Sequence, residues 1–166
     1  VVTVLASGKH LLGLIGELID IAKIESGKID LYQEEFSPEE LVKEIGLAFA
    51  QEAQRRRLAL RVDAAPASKP LFADRQRLRQ VMTNLVQNAL KFTQAGAVTV
   101  AFREEGGSAV FTVEDTGRGI APGELASLFD RFQQSKSLEK VKKGEGMGLG
   151  LHLAKHFVEL HGGSIC

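Results

Sequence analysis

Apolar positions in the first segment fall at Leu11, Ile15, Leu18 and Ala22, with Leu12 and Ile19 beside them. Steps of four and three place them on one wide helical stripe, in a helix running to about Glu25. Gly27 suits the left-handed conformation that ends such a helix. A stripe this apolar calls for a partner helix. "IDLYQEEF" then alternates and predicts a short strand. "SPEE" at 37–40 predicts a helix start, with Ser37 as cap, Pro38 at the first helical position and Glu40 closing a capping box. That helix should reach about Arg56. "LALRVD" alternates as a strand and "AAPASKP" reads as a loop. Asp74 caps the next helix, which carries "RQRLRQVMTNLVQNALKFT".

Two alternating strands around Gly106-Gly107 predict a hairpin. A short helix opens at Pro122 and covers "APGELASLFDRF". "QQSKSLEKVKK" is polar and basic and reads as a loop. The last helix should run from about Met147 to His161 and stop at Gly162. "GGSIC" looks like a turn entering a strand. The order predicts an α+β fold, a two-layer α/β sandwich with helices on one face of a mixed sheet.

Composition narrows the chemistry. The 166 residues are 44% hydrophobic and 25% charged, enough apolar content for a packed core. Twenty-one basic residues balance 21 acidic ones, so no electrostatic footprint for nucleic acid or an anionic membrane is present. A single cysteine excludes an intrachain disulfide and a cysteine-based metal site. No apolar run approaches the roughly 18 residues a membrane span needs. A reducing, cytoplasmic setting is expected, without membrane contact from this segment.

Three features resist a purely structural reading. Asp115 shares a strand face with Phe111 and Val113. It either caps the "DTGRG" turn or waits as an acceptor at a pocket floor. On the helix after Asp74, Asn84, Asn88 and Lys91 fall within about 60° of one another. Val81, Leu85, Ala89 and Phe92 lie to one side of that stripe. Asparagine is a poor helix former, so two of them mid-helix point to ligand chemistry rather than solvation. An amide oxygen can ligate magnesium, and a lysine one turn on can meet phosphate. Finally, glycine recurs at Gly144, Gly146, Gly148 and Gly150 before a well-patterned helix. Neither the P-loop nor the dinucleotide spacing is present. Backbone N–H groups at a helix start can still gather round an anion.

Together these residues resemble the catalytic domain of sensor histidine kinases, of the Bergerat ATP-binding fold. "LRQVMTNLVQNALKFT" is similar to the asparagine box and "VEDTGRGI" to the first glycine box. "LFDRF" is similar to the phenylalanine box, and "GEGMGLGLHLAKHFVELHGGSI" to the second glycine box with its helix. "SGKHLLGLIGELIDIAKIESGKIDL" resembles the second helix of the dimerisation and phosphotransfer module. The resemblance divides the chain into a partial phosphotransfer segment, 1–29, and a catalytic ATP-binding domain, 30–166. It implies that Asp115 accepts from the adenine amine and that Gly117 and Gly119 let the backbone close round the base. Asn88 would ligate Mg²⁺, with Asn84 and Lys91 acting near metal and phosphates. Phe129 and Phe132 would support a lid over about 133–143. Gly144, Gly146, Gly148, Leu149 and Gly150 would meet the phosphates of ATP.

Asn84 stands near the place where related chaperones and topoisomerases carry a hydrolytic glutamate. Asparagine is no general base, so the resemblance implies transfer to a protein acceptor rather than hydrolysis. It further implies a homodimer through the N-terminal helix and a response-regulator receiver domain as partner. Two alternatives are a non-catalytic nucleotide-binding or dimerisation module and, less in keeping with Asn84, a chaperone-like ATPase. The sequence departs from the family pattern at Lys143 and Glu145. The family's acceptor-histidine helix would precede residue 1, and its closing strands would follow Cys166, so a fragment is expected.

Overall fold

The computed structural model describes residues 2–125, 127–130 and 148–166, without the side chains of residues 2–7, 9 and 10. Elements follow in the order α1 (Val2–Glu25), β1 (Glu34–Phe36), α2 (Pro38–Arg55), β2 (Ala59–Ala64), β3 (Leu71–Ala73), α3 (Arg75–Phe92), β4 (Ala97–Glu105), β5 (Ser108–Asp115), α4 (Pro122–Leu125) and α5 (Gly150–Leu160). Two compact units result: Tyr32–Ala121, and Val1–Leu31 with Pro122–Cys166.

In the first of these units β4 is the central strand. It pairs in parallel with β2 and antiparallel with β5, giving a mixed sheet in the order β2-β4-β5. Val98, Val100 and Phe102 alternate along β4 and are all buried. Period two puts them on one face. Leu60 and Ala64 of β2 and Phe111 and Val113 of β5 join them by register. Leu41, Val42 and Ile45 of α2, with Met82, Val86, Ala89 and Leu90 of α3, cover that face and form a single core. The helices therefore lie on one face of a mixed sheet, as the sequence order implied. At Gly46 of α2 a side chain would collide with Val62 Cγ2, so this glycine sets how closely helix and strand approach.

Local chemistry fixes the element starts. Ser37 Oγ accepts from the Glu40 N–H at 3.1 Å, capping α2, and Pro38 follows it. The carboxylate that turns back is that of Glu39, where a capping box would use Glu40. The backbone N–H of Glu39 itself, then the Ser37 hydroxyl, hold its carboxyl below the ordinary range. Asp74 is 3% exposed and accepts from two directions. Its Oδ1 takes the Arg77 N–H at 2.9 Å, and its Oδ2 takes the Tyr32 N–H at 2.9 Å. One side chain thus caps α3 and ties down the chain entering β1. Gly106 (φ 58°) and Gly107 (φ 83°) make the two-residue β4–β5 turn. Positive φ at both positions is the hairpin turn that matches strand twist.

Several boundaries differ from expectation. β1 spans only Glu34–Phe36, because its partner β3 offers three residues, Leu71–Ala73. β3 itself was not foreseen. The helix from Pro122 ends at Leu125, and α5 begins at Gly150 rather than Met147. Residues 163–166 form no strand.

In the second unit α1 packs against α5. Ile21 is buried on α1, and Leu149, Leu153, Ala154 and Phe157 are buried at and along α5. The expected α1 stripe is not the covered side. Leu11, Leu12, Ile15, Leu18 and Ile19 are 45–71% exposed. Their apolar character is left open on the single chain. Among the described residues no helix is long and apolar enough to cross a membrane.

Candidate functional site

α3 presents the polar stripe. Asn84, Asn88 and Lys91 are each half-buried, while Val81, Met82, Val86, Ala89 and Leu90 are buried. The covered arc is wider than the four apolar positions read from the sequence. Leu85 and Phe92 are its half-buried margin. Two cations flank that margin. Lys91 Nζ lies 5.5 Å from the Phe92 ring centroid and Arg118 Cζ lies 5.8 Å from it. Both distances allow a cation–π attraction.

Asp115 ends β5 opposite Val98. Period two does put it on the helix-facing side, yet it is exposed, because the strand stops there. Its Oδ1 accepts from the Gly117 N–H at 2.7 Å. Thr93 Oγ1 lies 3.3 Å from the same oxygen. The turn-capping reading is therefore realised through one oxygen. Among the described residues Oδ2 takes no protein hydrogen bond.

The backbone beside Asp115 is tight. A Cβ on Gly117 would sit 2.6 Å from Asp115 Oδ1 and 2.8 Å from the Phe92 carbonyl oxygen. Only glycine fits. Gly119 has φ 68°, the left-handed region. Thr116 fastens the strand end: its Oγ1 accepts from the Ala97 N–H at 3.0 Å, and its own N–H donates to the Ala97 carbonyl at 3.1 Å. Asp115, Gly117 and the end of α3 are thus brought together by hydrogen bonds and by close backbone approach. Thr93 belongs to this cluster and was not singled out in the sequence. The signal available was a threonine directly after a helix, able to bond back to the carbonyl four residues earlier, with no hint of its distant partner.

The remaining expected positions lie in the other unit. Gly148 has φ 71°, Leu149 is 1% exposed, and Gly150 opens α5. Leu149 stands at the cap position and makes no side-chain cap hydrogen bond. Phe129 is half-buried, and its carbonyl lies 3.0 Å from His152 Nδ1. Phe132, Gly144 and Gly146 lie outside the described residues, as do Lys143, Glu145 and the segment 133–143. Among the described residues no three His, Cys, Asp or Glu side chains gather as a metal cage.

The helix-backed mixed sheet, the asparagine helix and the pinned strand-end aspartate define a nucleotide-binding class. The model of histidine kinase-, DNA gyrase B- and HSP90-like ATPases matches residues 73–166, and the chain belongs to that family. Among the relatives it resembles are proteins named as histidine kinases. The circadian input-output histidine kinase CikA of Synechococcus elongatus is 41% identical over 162 residues, covering 96% of this chain and 21% of its own length. The sensory/regulatory protein RpfC of Xanthomonas campestris is 39% identical, covering 98% and 23%. Full-length ShkA, solved in complex with AMPPNP, superimposes with a TM-score of 0.82 at 30% identity, over 95% of this chain and 32% of its own. The chain therefore spans about a fifth to a third of these proteins.

Proposed function

We propose that this chain is the ATP-binding kinase core of a two-component sensor histidine kinase. It holds Mg-ATP and passes the γ-phosphoryl group to a histidine imidazole, releasing ADP. Relay to a response-regulator aspartate follows. One observation carries the reading: Asp115 is pinned through Oδ1 beside a glycine that admits no side chain, and among the described residues its Oδ2 takes no hydrogen bond. That oxygen suits the N–H donor of an adenine amine. Family membership and the AMPPNP complex of ShkA support ATP as the nucleotide.

The residues present fit Mg²⁺ as well. Asn88 offers an amide oxygen, and among the described residues no carboxylate cage forms. Magnesium commonly keeps few protein ligands and takes the rest from phosphate oxygens and water. When bound, it neutralises charge on the transferring phosphates. Asn84 and Lys91 extend the same stripe toward the phosphates, and Asn84 supplies no base for water. Gly117 and Gly119 close the backbone round the base. Gly144, Gly146, Gly148, Leu149 and Gly150 serve the phosphates, and Phe129 and Phe132 flank the lid. The open apolar face of α1 supports a homodimer, with residues 1–29 belonging to the phosphotransfer module and 30–166 to the catalytic domain. The setting is cytoplasmic.

Calorimetry with Mg-ATP, followed by labelled ATP and an added acceptor-helix domain, tests the proposal. Binding is expected, with label appearing on the acceptor histidine. Asp115→Asn should weaken ATP about ten- to hundredfold, the loss of a charge-assisted hydrogen bond. Failure to bind, or binding indifferent to that substitution, overturns it. Steady turnover without an acceptor would instead identify a hydrolase.

A further inference from the structure

Thr93 caps α3 and is 5% exposed, a buried hydroxyl with two acceptors in reach. Its Oγ1 lies 2.7 Å from the Ala89 carbonyl and 3.3 Å from Asp115 Oδ1. A hydroxyl has one hydrogen to give. The Ala89 carbonyl already receives the Thr93 backbone N–H at 3.0 Å. The carbonyl keeps a second lone pair, so the hydroxyl is shared: its shorter contact is to the carbonyl, and its longer one reaches the carboxylate, where charge assistance adds to it. Gly117 N–H comes to the same Oδ1 from the other flank at 2.7 Å. Two donors from two different elements therefore converge on one carboxylate oxygen. They fix the side-chain rotation and, among the described residues, leave Oδ2 as the oxygen that remains to accept.

We infer that Thr93 is a positioning residue for base recognition: its hydroxyl turns Asp115 so that Oδ2 faces an incoming exocyclic amine. This rests on the reading of Asp115 as the base acceptor. It assigns to the end of the asparagine helix a share in base selectivity, separate from the metal and phosphate roles of Asn84, Asn88 and Lys91. The contribution is to affinity for a base that carries the amine, and so to selectivity. A misdirected carboxylate loses its advantage for a base with an amine over one without.

The test compares ATP with inosine triphosphate, which carries a carbonyl where adenine carries the amine. Thr93→Val keeps the shape and removes the hydroxyl. It should weaken ATP about five- to tenfold, the range for one hydrogen bond, and leave the weak binding of inosine triphosphate in place, so the ratio collapses. Thr93→Ser restores the hydroxyl and should restore the ratio. Thermal melts of each variant report folding. Should Thr93→Val fail to fold, the ratio in Thr93→Ala against Thr93→Ser decides the matter. Equal losses for both nucleotides, or no rescue by serine, reduce Thr93 to a helix cap and overturn the inference. Asp115→Asn is measured alongside. If it leaves ATP binding unchanged, the base-acceptor reading itself fails. If it weakens ATP while the Thr93 variants keep the ratio, only the positioning role falls.

Discussion

α3 and α5 begin in opposite ways. α3 closes its own N-terminus with Asp74, a buried carboxylate that also holds Tyr32. α5 begins from Gly148 and Leu149 with no side-chain cap. A helix start carries unsatisfied N–H groups and a partial positive charge. In α3 the chain supplies the negative partner itself. In α5 it supplies none from the cap position, and on the proposed reading phosphate takes that place. The stability that a cap confers is spent on the scaffold helix and withheld from the functional one. The helix C-termini draw no such distinction. α1, α2 and α5 end in one bonding pattern, with the residue at the left-handed position being Gly27, Arg57 and Gly162.

The largest expected effect breaks the closed end. Asp74→Ala removes two buried acceptors and should cost about 2–3 kcal/mol in urea denaturation. Next comes the open end. Gly148→Ala and Gly27→Ala place the same strain at φ 71° and φ 63° and should each cost about 1 kcal/mol. Only Gly148→Ala should also weaken ATP in calorimetry. An equal ATP response from both would erase the contrast between the ends. Arg57→Gly relieves a left-handed residue at φ 58° and should stabilise the protein by about 0.5–1 kcal/mol.

Acid gives the smallest effect. The Glu39 backbone N–H at the start of α2 holds the Glu39 carboxyl low, and the Arg56 side chain near its end does the same for Glu52. Depressed carboxyls contribute stability above their unfolded value, near 4.5, and lose it as pH falls through their folded values. Urea midpoints should therefore decline below that pH. Glu39→Gln and Glu52→Gln should flatten the decline.

What the sequence disclosed follows the range of the interactions concerned. The Ser37 and Asp74 caps, the Gly106-Gly107 turn and the asparagine stripe arise within four residues of chain and could be read directly. β3 has three residues and exists through β1, far back in the chain, so no local pattern announces it. The link between Thr93 and Asp115 spans 22 positions and joins a helix end to a strand end. Period two placed Asp115 on the correct face but could not tell that the strand would stop there. The α1 stripe was read from the spacing of its apolar positions, and spacing alone does not say which face the same chain covers.

The pairing of β2 with β4 has a kinetic consequence. The β4–β5 hairpin closes over two residues, whereas β2 reaches its parallel partner only after β3 and α3 have been laid between them. Loop-closure cost makes the hairpin the early event and the parallel pair the late one. Pulse-labelled hydrogen exchange during refolding should protect the Val110 and Thr112 amides before those of Arg61 and Asp63. The strand that ends in Asp115 is thus in place before the sheet it belongs to is complete.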